Sequence, residues 1–290
     1  MTPRTATLIG LTAILMWSLL SVMTVATGLI PPFQLAAMTF AIGALAASLS
    51  WIGRPEAIRA LRQSPLAWAV GVGGLFGYHA LYFVALRLAP PAEAGLLNYL
   101  WPLLIVLLSS LLPGERLKPH HIIGALLGLA GTVLLLWGNV ATELRPGHLG
   151  GLLAAFVAAF VWSAYSVMSR RLKAVPTDAV AGFCAVTAGL AALVHLAIET
   201  TIWPQATLQW LAVIGLGIGP VGAAFYTWDI GMKRGDIRVL GAASYATPLL
   251  STGFLILAGY AQPSANLALA AALIAGGGLI AAKDMVGKRA

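Results

Sequence analysis

Charge is what this chain has least of. Only 9% of its 290 residues are Asp, Glu, Lys or Arg, against roughly 25% in an ordinary globular domain. A water-facing surface cannot be built from so few, which excludes a soluble enzyme. The same shortage of polar residues excludes a disordered chain. Cysteine occurs once, at Cys184, so neither an internal disulfide nor a cysteine-based metal cluster can form. That thiol lies in an apolar run and reads as a small buried hydrophobe. Also missing are a His-Glu-x-x-His zinc signature, a Walker A loop and a close pair of aspartates inside an apolar run. Ser18, Ser21, Ser163 and Ser166 have no evident base beside them. No catalytic residue, metal or cofactor is therefore expected.

What remains is apolar: 60% of the chain, with a mean hydropathy of +0.90. A membrane-crossing helix needs roughly 20 apolar residues, and breaks at Pro, Gly and charge clusters divide the chain accordingly. Spans are predicted near 5–28, 32–52, 65–88, 90–113 and 119–139, then near 148–170, 177–199, 208–232, 238–260 and 264–282. The first run continues to about Leu29 without a small-x-small cleavage site. Similar runs recur later, so it reads as a span and not as a cleaved signal. The fold class is all-α integral membrane.

The net charge of +8 does not point to nucleic acid, because the basic residues sit in the gaps between apolar runs. With a cytoplasmic N-terminus, only Arg87 and Arg145 of the 17 basic residues fall on the outer side. Lys and Arg favour cytoplasmic loops, so the pattern predicts ten spans with both termini cytoplasmic.

The chain also repeats itself. Trp17-Ser18-x-x-Ser21-Val22-Met23 returns as Trp162-Ser163-x-x-Ser166-Val167-Met168, and Pro31 returns as Pro176, at a spacing of 145. Gly95-x-x-Asn98-Tyr99-x-x-Pro102-Leu103-Leu104 returns as Gly241-x-x-Ser244-Tyr245-x-x-Pro248-Leu249-Leu250 at a spacing of 146. Five spans repeated once give ten, and because five is odd the second copy enters the membrane from the opposite side. The halves are placed at 1–145 and 146–290, an inverted repeat of the kind many secondary transporters use for alternating access.

On these residues the chain resembles the drug/metabolite transporter superfamily of the EamA type. It is most similar to the bacterial aromatic amino-acid exporter branch, the YddG-like proteins. The resemblance covers the whole chain. It is carried by Ala6-Thr7-Leu8-Ile9-Gly10-Leu11 leading to Trp17-Ser18, by Asn98-Tyr99-Leu100-Trp101-Pro102, and by Gly241 and Ser244-Tyr245 leading to Thr247-Pro248. It implies a carrier in the bacterial inner membrane that exports aromatic and other neutral amino acids. Many members of the family carry Arg in the second helix, where this chain has Met38 and Thr39. That removes a candidate anion-binding charge.

Candidate site residues follow from depth in the spans. Pro102 and Pro248 lie near the middle of spans four and nine. A helix-interior proline frees the carbonyl four residues earlier, here those of Asn98 and Ser244. Either the prolines are kinks that serve packing, or the loosened helices present carbonyls to a substrate ammonium, with Asn98 and Ser244 at its polar head. Tyr78 and Tyr82 share a helix face with His79 beside them. Trp17 and Trp162 lie mid-span, and Tyr99, Trp101, Tyr226 and Trp228 add further rings. Interfacial belts of aromatics account for Trp51 and Trp203 but not for rings this far from a span end. Those rings either line a cavity or pack.

The substrate-binding set is thus Trp17, Tyr78, His79, Tyr82, Asn98, Tyr99, Trp101, Trp162, Trp228 and Ser244, with Pro102 and Pro248 as hinges. His79 is the one ionisable side chain near a span's middle, where it serves as a proton relay or a neutral hydrogen-bonding group. Arg87, Glu93 and Asp229 fall toward span ends, within reach of water or the interface. No Arg or Lys sits at the midplane to clamp a phosphate, and a zwitterion fits better. The expected partners are an amino acid zwitterion and the lipid bilayer, with no nucleic acid. Alternatives are export of amphipathic organic cations or drugs, a channel, or an intramembrane enzyme. The pairs Gly73/Gly77, Gly124/Gly128 and Gly215/Gly219 are expected at close helix contacts.

Overall fold

The computed structural model describes residues 1–114, 116–137, 146–259 and 266–283. Arg145, the boundary between the predicted halves and the C-terminal basic residues Lys288 and Arg289 lie outside these.

Among the described residues all regular structure is helical. Seven helices are long and apolar enough to cross a membrane: α1 (Pro3–Ala26), α2 (Pro32–Leu49), α3 (Pro65–Leu88), α6 (Leu149–Arg171), α7 (Ala179–Ile198), α8 (Thr207–Arg234) and α9 (Ile237–Leu257). Three shorter apolar helices are α4 (Glu93–Ser109), α5 (Pro119–Leu134) and α10 (Leu267–Ala281). Pro3, Pro32, Pro65, Pro91 and Pro119 all stand in a first helical turn, where no backbone hydrogen bond is lost. Thr2 and Ser64 cap α1 and α3 by accepting from the N–H groups of Thr5 and Ala67.

Apolar residues lie all round these helices, as expected of segments that face protein on one side and lipid on the other. Of the apolar stretches in the seven long helices, only 22–50% of residues are buried within the protein. Leu29, Ile52, Leu196 and Leu257 are among the exposed large side chains.

Packing partners include α2 with α7, α5 with α10, α1 with α8, α3 with α6, α4 with α6, α9 with α1, α4 with α9, α2 with α8, α3 with α7, α6 with α8 and α5 with α9. Adding or subtracting five from every number maps most of these pairs onto one another, the exceptions being α6 with α8 and α5 with α9.

Four of the helices are interrupted at matching places. A π-helical turn at Gly73–Gly77 interrupts α3, and another at Gly219–Ala223 interrupts α8. Such turns lodge an extra residue and expose carbonyls. The chain of α4 breaks at Tyr99–Leu100, between Pro91–Asn98 and Trp101–Ser109. In the same way α9 breaks at Ser244–Tyr245, between Ile237–Ala243 and Ala246–Leu257. Pro102 and Pro248 therefore sit in the opening turn of a second helical segment, so each ends one helix and starts another where a bend inside a single helix was expected.

Only some of the expected glycine contacts occur. A Cβ on Gly124 would lie 2.5 Å from the carbonyl oxygen of Gly277, and one on Gly128 would lie 2.5 Å from the Tyr245 ring. Gly73 and Gly219 have nothing within 4 Å; they open the π turns instead.

Candidate functional site

The interrupted parts of α3, α4, α8 and α9 meet the middle of α1 and α6 around a cavity of about 220 Å³. Eight of the ten sequence-predicted residues line it: Trp17 from α1, Tyr78, His79 and Tyr82 from α3, Asn98, Tyr99 and Trp101 from α4, and Trp162 from α6. Seven that sequence reasoning missed complete the wall: Leu20, Ser21, Pro220, Val221, Phe225, Thr247 and Ser251. The repeat held a signal for three of these. Ser21 stands within the Trp-Ser-x-x-Ser motif itself. Phe225 lies 146 residues after His79, and Thr247 lies 146 after Trp101.

The rings form one cluster. Trp17 packs nearly perpendicular to Trp162 at a centroid distance of 5.4 Å and to Trp101 at 6.4 Å. Its indole N–H donates to the carbonyl of Pro220, at 3.0 Å, in the π turn of α8. The π turn of α3 serves His79 in the same way: Nδ1 lies 2.7 Å from the Leu75 carbonyl. A carbonyl only accepts, so Nδ1 carries the proton, and in the neutral imidazole Nε2 is then an acceptor. The Asn98 amide donates to the Tyr78 hydroxyl at 3.1 Å. Its Oδ1, like the hydroxyl of Thr247, is buried without a hydrogen-bond partner among the described residues. Buried polar atoms usually find a partner, so these two are unmet hydrogen-bonding atoms on cavity-lining residues. No Asp, Glu, Lys or Arg is among the lining residues.

Two predicted residues depart from this set. Trp228 is fully enclosed behind Trp17, at 5.0 Å, and its indole N–H donates to the hydroxyl of Ser166 at 3.1 Å. Ser244 is also fully buried, because its hydroxyl turns back to the Leu240 carbonyl at 2.7 Å. That is a common habit of serine in a helix, and it withdraws the side chain from the cavity. Asp229 departs as well. It does not reach water but is buried, paired with Lys233 at 2.8 Å and accepting from Thr177 at 2.7 Å.

The cavity is one-sided. Ser21 is exposed whereas Ser166, its partner in the repeat, is fully buried; Tyr82 and Tyr99 are half-buried whereas Trp228 and Tyr245 are fully buried. The open side faces the end of the bundle that carries Glu199. Toward the other end, which carries Arg54, the structure is shut by the Trp228–Ser166 bond and by polar links from α6 and the loop after it to α8. Lys233 donates to the Val175 carbonyl at 2.8 Å, and Arg170 donates to the carbonyls of Gly235 and Met232 at 2.7 and 3.2 Å.

A bundle of apolar helices with lipid-suited flanks, broken around an uncharged cavity that reaches one end only, is the build of a multi-pass membrane protein that passes a solute. The sequence profile of the EamA-like transporter family matches the chain twice, over residues 4–137 and 149–283. The chain belongs to that family, and it is a multi-pass membrane transporter. It is 57% identical over 282 residues to a protein of Ancylobacter novellus named aromatic amino acid exporter YddG, covering 97% of this chain and 98% of that one. It is 28% identical to the Escherichia coli protein of the same name, over 97% of each chain. A protein of known crystal structure superposes with a TM-score of 0.93 at 56% identity, over 100% of both chains.

Proposed function

We propose that this protein exports aromatic and other neutral amino acids across a bacterial inner membrane by alternating access. Ten spans form two inverted five-helix halves, 1–145 and 146–290, with both termini in the cytoplasm. The uncharged, ring-lined cavity carries this reading. A zwitterion brings one charge of each sign, so a site with a fixed charge of its own would favour one and repel the other. Here the ammonium meets the acceptors His79 Nε2 and Asn98 Oδ1, while the apolar side chain lies among Trp17, Trp101 and Trp162. The names of the full-length relatives support the cargo. Two successive profile matches and a packing pattern most of whose pairs survive a shift of five support the repeat. The distribution of basic residues supports the orientation, which makes the Glu199 end the outer one. The breaks at Pro102 and Pro248 support hinges there.

Counterflow in proteoliposomes tests the function. Labelled phenylalanine is supplied outside, and unlabelled candidates are loaded inside. Internal phenylalanine, tryptophan or other neutral amino acids are expected to drive saturable uptake. Stimulation by organic cations alone would move the assignment to export of amphipathic cations, which the same rings could accept. Flux that neither saturates nor responds to internal substrate would indicate a channel.

A further inference from the structure

The two ends of the bundle are held by charges of opposite design. At the outer end Glu199 closes α7, its side chain only 2% exposed. It accepts from the N–H groups of Phe33 and Gln34 at 3.2 and 3.1 Å. It thereby caps α2, whose own cap position is Pro31 and has no side-chain acceptor. His195 Nδ1 lies 3.0 Å from the same carboxylate, and Arg87 Nη2 reaches it at 2.9 Å from the last turn of α3. One carboxylate thus joins α2, α3 and α7.

The repeat spacing of 145 carries Glu199 onto Arg54, and the spacing of 146 carries Arg87 onto Lys233. An acid and a base at one end correspond to two bases at the other. Arg54 pairs with Asp178, at the cap of α7, at 3.3 Å. Lys233 turns away to Asp229 and the Val175 carbonyl. If transport exchanges the conformations of the two halves, α3 takes the arrangement that α8 holds now, and α8 takes that of α3. Arg87 then leaves Glu199, Lys233 gives up Val175, and Lys233 approaches Arg54.

We propose that this inversion of charge, Arg87 with Glu199 at one end against Lys233 with Arg54 at the other, makes the outward-open form the resting state. The proposal rests on the alternating-access reading above. The pair Arg87–Glu199 acts on position and not on substrate, since neither residue lines the cavity.

The population of the inward-open form is the quantity to measure. Ser169 lies on the shut side, and its hydroxyl donates within its own helix to the Tyr165 carbonyl. Ser169→Cys in a Cys184→Ala background reports opening toward the cytoplasm, through its rate of labelling by an impermeant maleimide in inverted vesicles. Thiols counted after denaturation normalise for the amount of protein. Arg87→Gln is expected to raise that rate about two- to fivefold, the range of a part-exposed ion pair, and Arg87→Lys to leave it near the parent value. Adding Arg54→Glu to Arg87→Gln gives Lys233 an acid in the inward-open form. It should raise the rate further and also slow labelling of Ser21→Cys from outside, at the far end of the molecule. Equal Ser169→Cys rates in the parent and Arg87→Gln proteins would overturn the proposal. Labelling of Ser21→Cys from the cytoplasmic side alone, with all native charges present, would instead overturn the orientation beneath it.

Discussion

Three consecutive glycines in α10, Gly276, Gly277 and Gly278, allow helix contact to be separated from helix propensity. A Cβ on Gly277 would lie 2.5 Å from the Gly124 carbonyl oxygen and 3.0 Å from the Gly128 nitrogen, whereas Gly276 and Gly278 have nothing within 4 Å. Alanine is favoured over glycine inside a helix by about 1 kcal/mol, and this gain is common to all three positions. At Gly277 the opposing atoms are backbone and cannot swing aside, so α10 would have to back away from α5. Overpacking of this kind costs about 1–3 kcal/mol. Gly276→Ala and Gly278→Ala should therefore stabilise by about 0.5–1 kcal/mol, and Gly277→Ala should fall about 1–3 kcal/mol below them. The assay is unfolding of the purified protein in one detergent or lipid mixture, followed by tryptophan fluorescence. Three variants of equal stability would refute the close approach of α5 and α10.

Further outcomes follow from single contacts. Asp236 lies between α8 and α9 and caps α9 through the N–H groups of Arg238 and Val239. Burial pushes its carboxyl up, but the Arg238 guanidinium at 3.1 Å and these N–H groups outweigh that and hold it below the usual range. A depressed native pKa adds stability above the unfolded value and loses it as the pH falls through the native one. The deficit of Asp236→Asn in thermal unfolding should therefore be full at neutral pH and shrink below about pH 4. Asp229→Asn should cost about 3–5 kcal/mol by stranding the buried Lys233 ammonium, and the double change to Asp229→Leu and Lys233→Met much less; equal losses would contradict this. Trp17→Phe keeps a ring but loses the bond to Pro220, about 1 kcal/mol, and should lower both melting temperature and phenylalanine counterflow. Pro102→Ala should lower counterflow more than expression, and unchanged turnover would remove the hinge.

Much of the cavity was legible because its parts recur. The Trp-Ser-x-x-Ser motif and the Asn/Ser-Tyr-x-x-Pro motif are each written twice, and five residues in them, Trp17, Asn98, Tyr99, Trp101 and Trp162, meet around one space with Tyr78, His79 and Tyr82, which a shared helix face had singled out. The π turns were not legible. Gly73 and Gly219 look like members of packing pairs, and the place where a helix takes an extra residue depends on neighbours far away in the chain. The contacts of Glu199 with Phe33 and Gln34, and of Trp17 with Pro220, span more than 160 residues and leave no local pattern.

Hydropathy, charge placement and the repeat together determined an all-helical membrane protein, because every backbone group in hydrocarbon must be satisfied within its own helix and a helix needs a set length to cross. Tertiary structure alone decided which copy of each repeated residue faces the cavity. Ser21 and Ser166 stand in the same motif, as Asn98 and Ser244 do, yet one of each pair is enclosed and the other lines the cavity. A repeated sequence is blind to that difference. In this structure only one end of the cavity is open, and near-identical motifs then find themselves exposed at one end and in packed protein at the other.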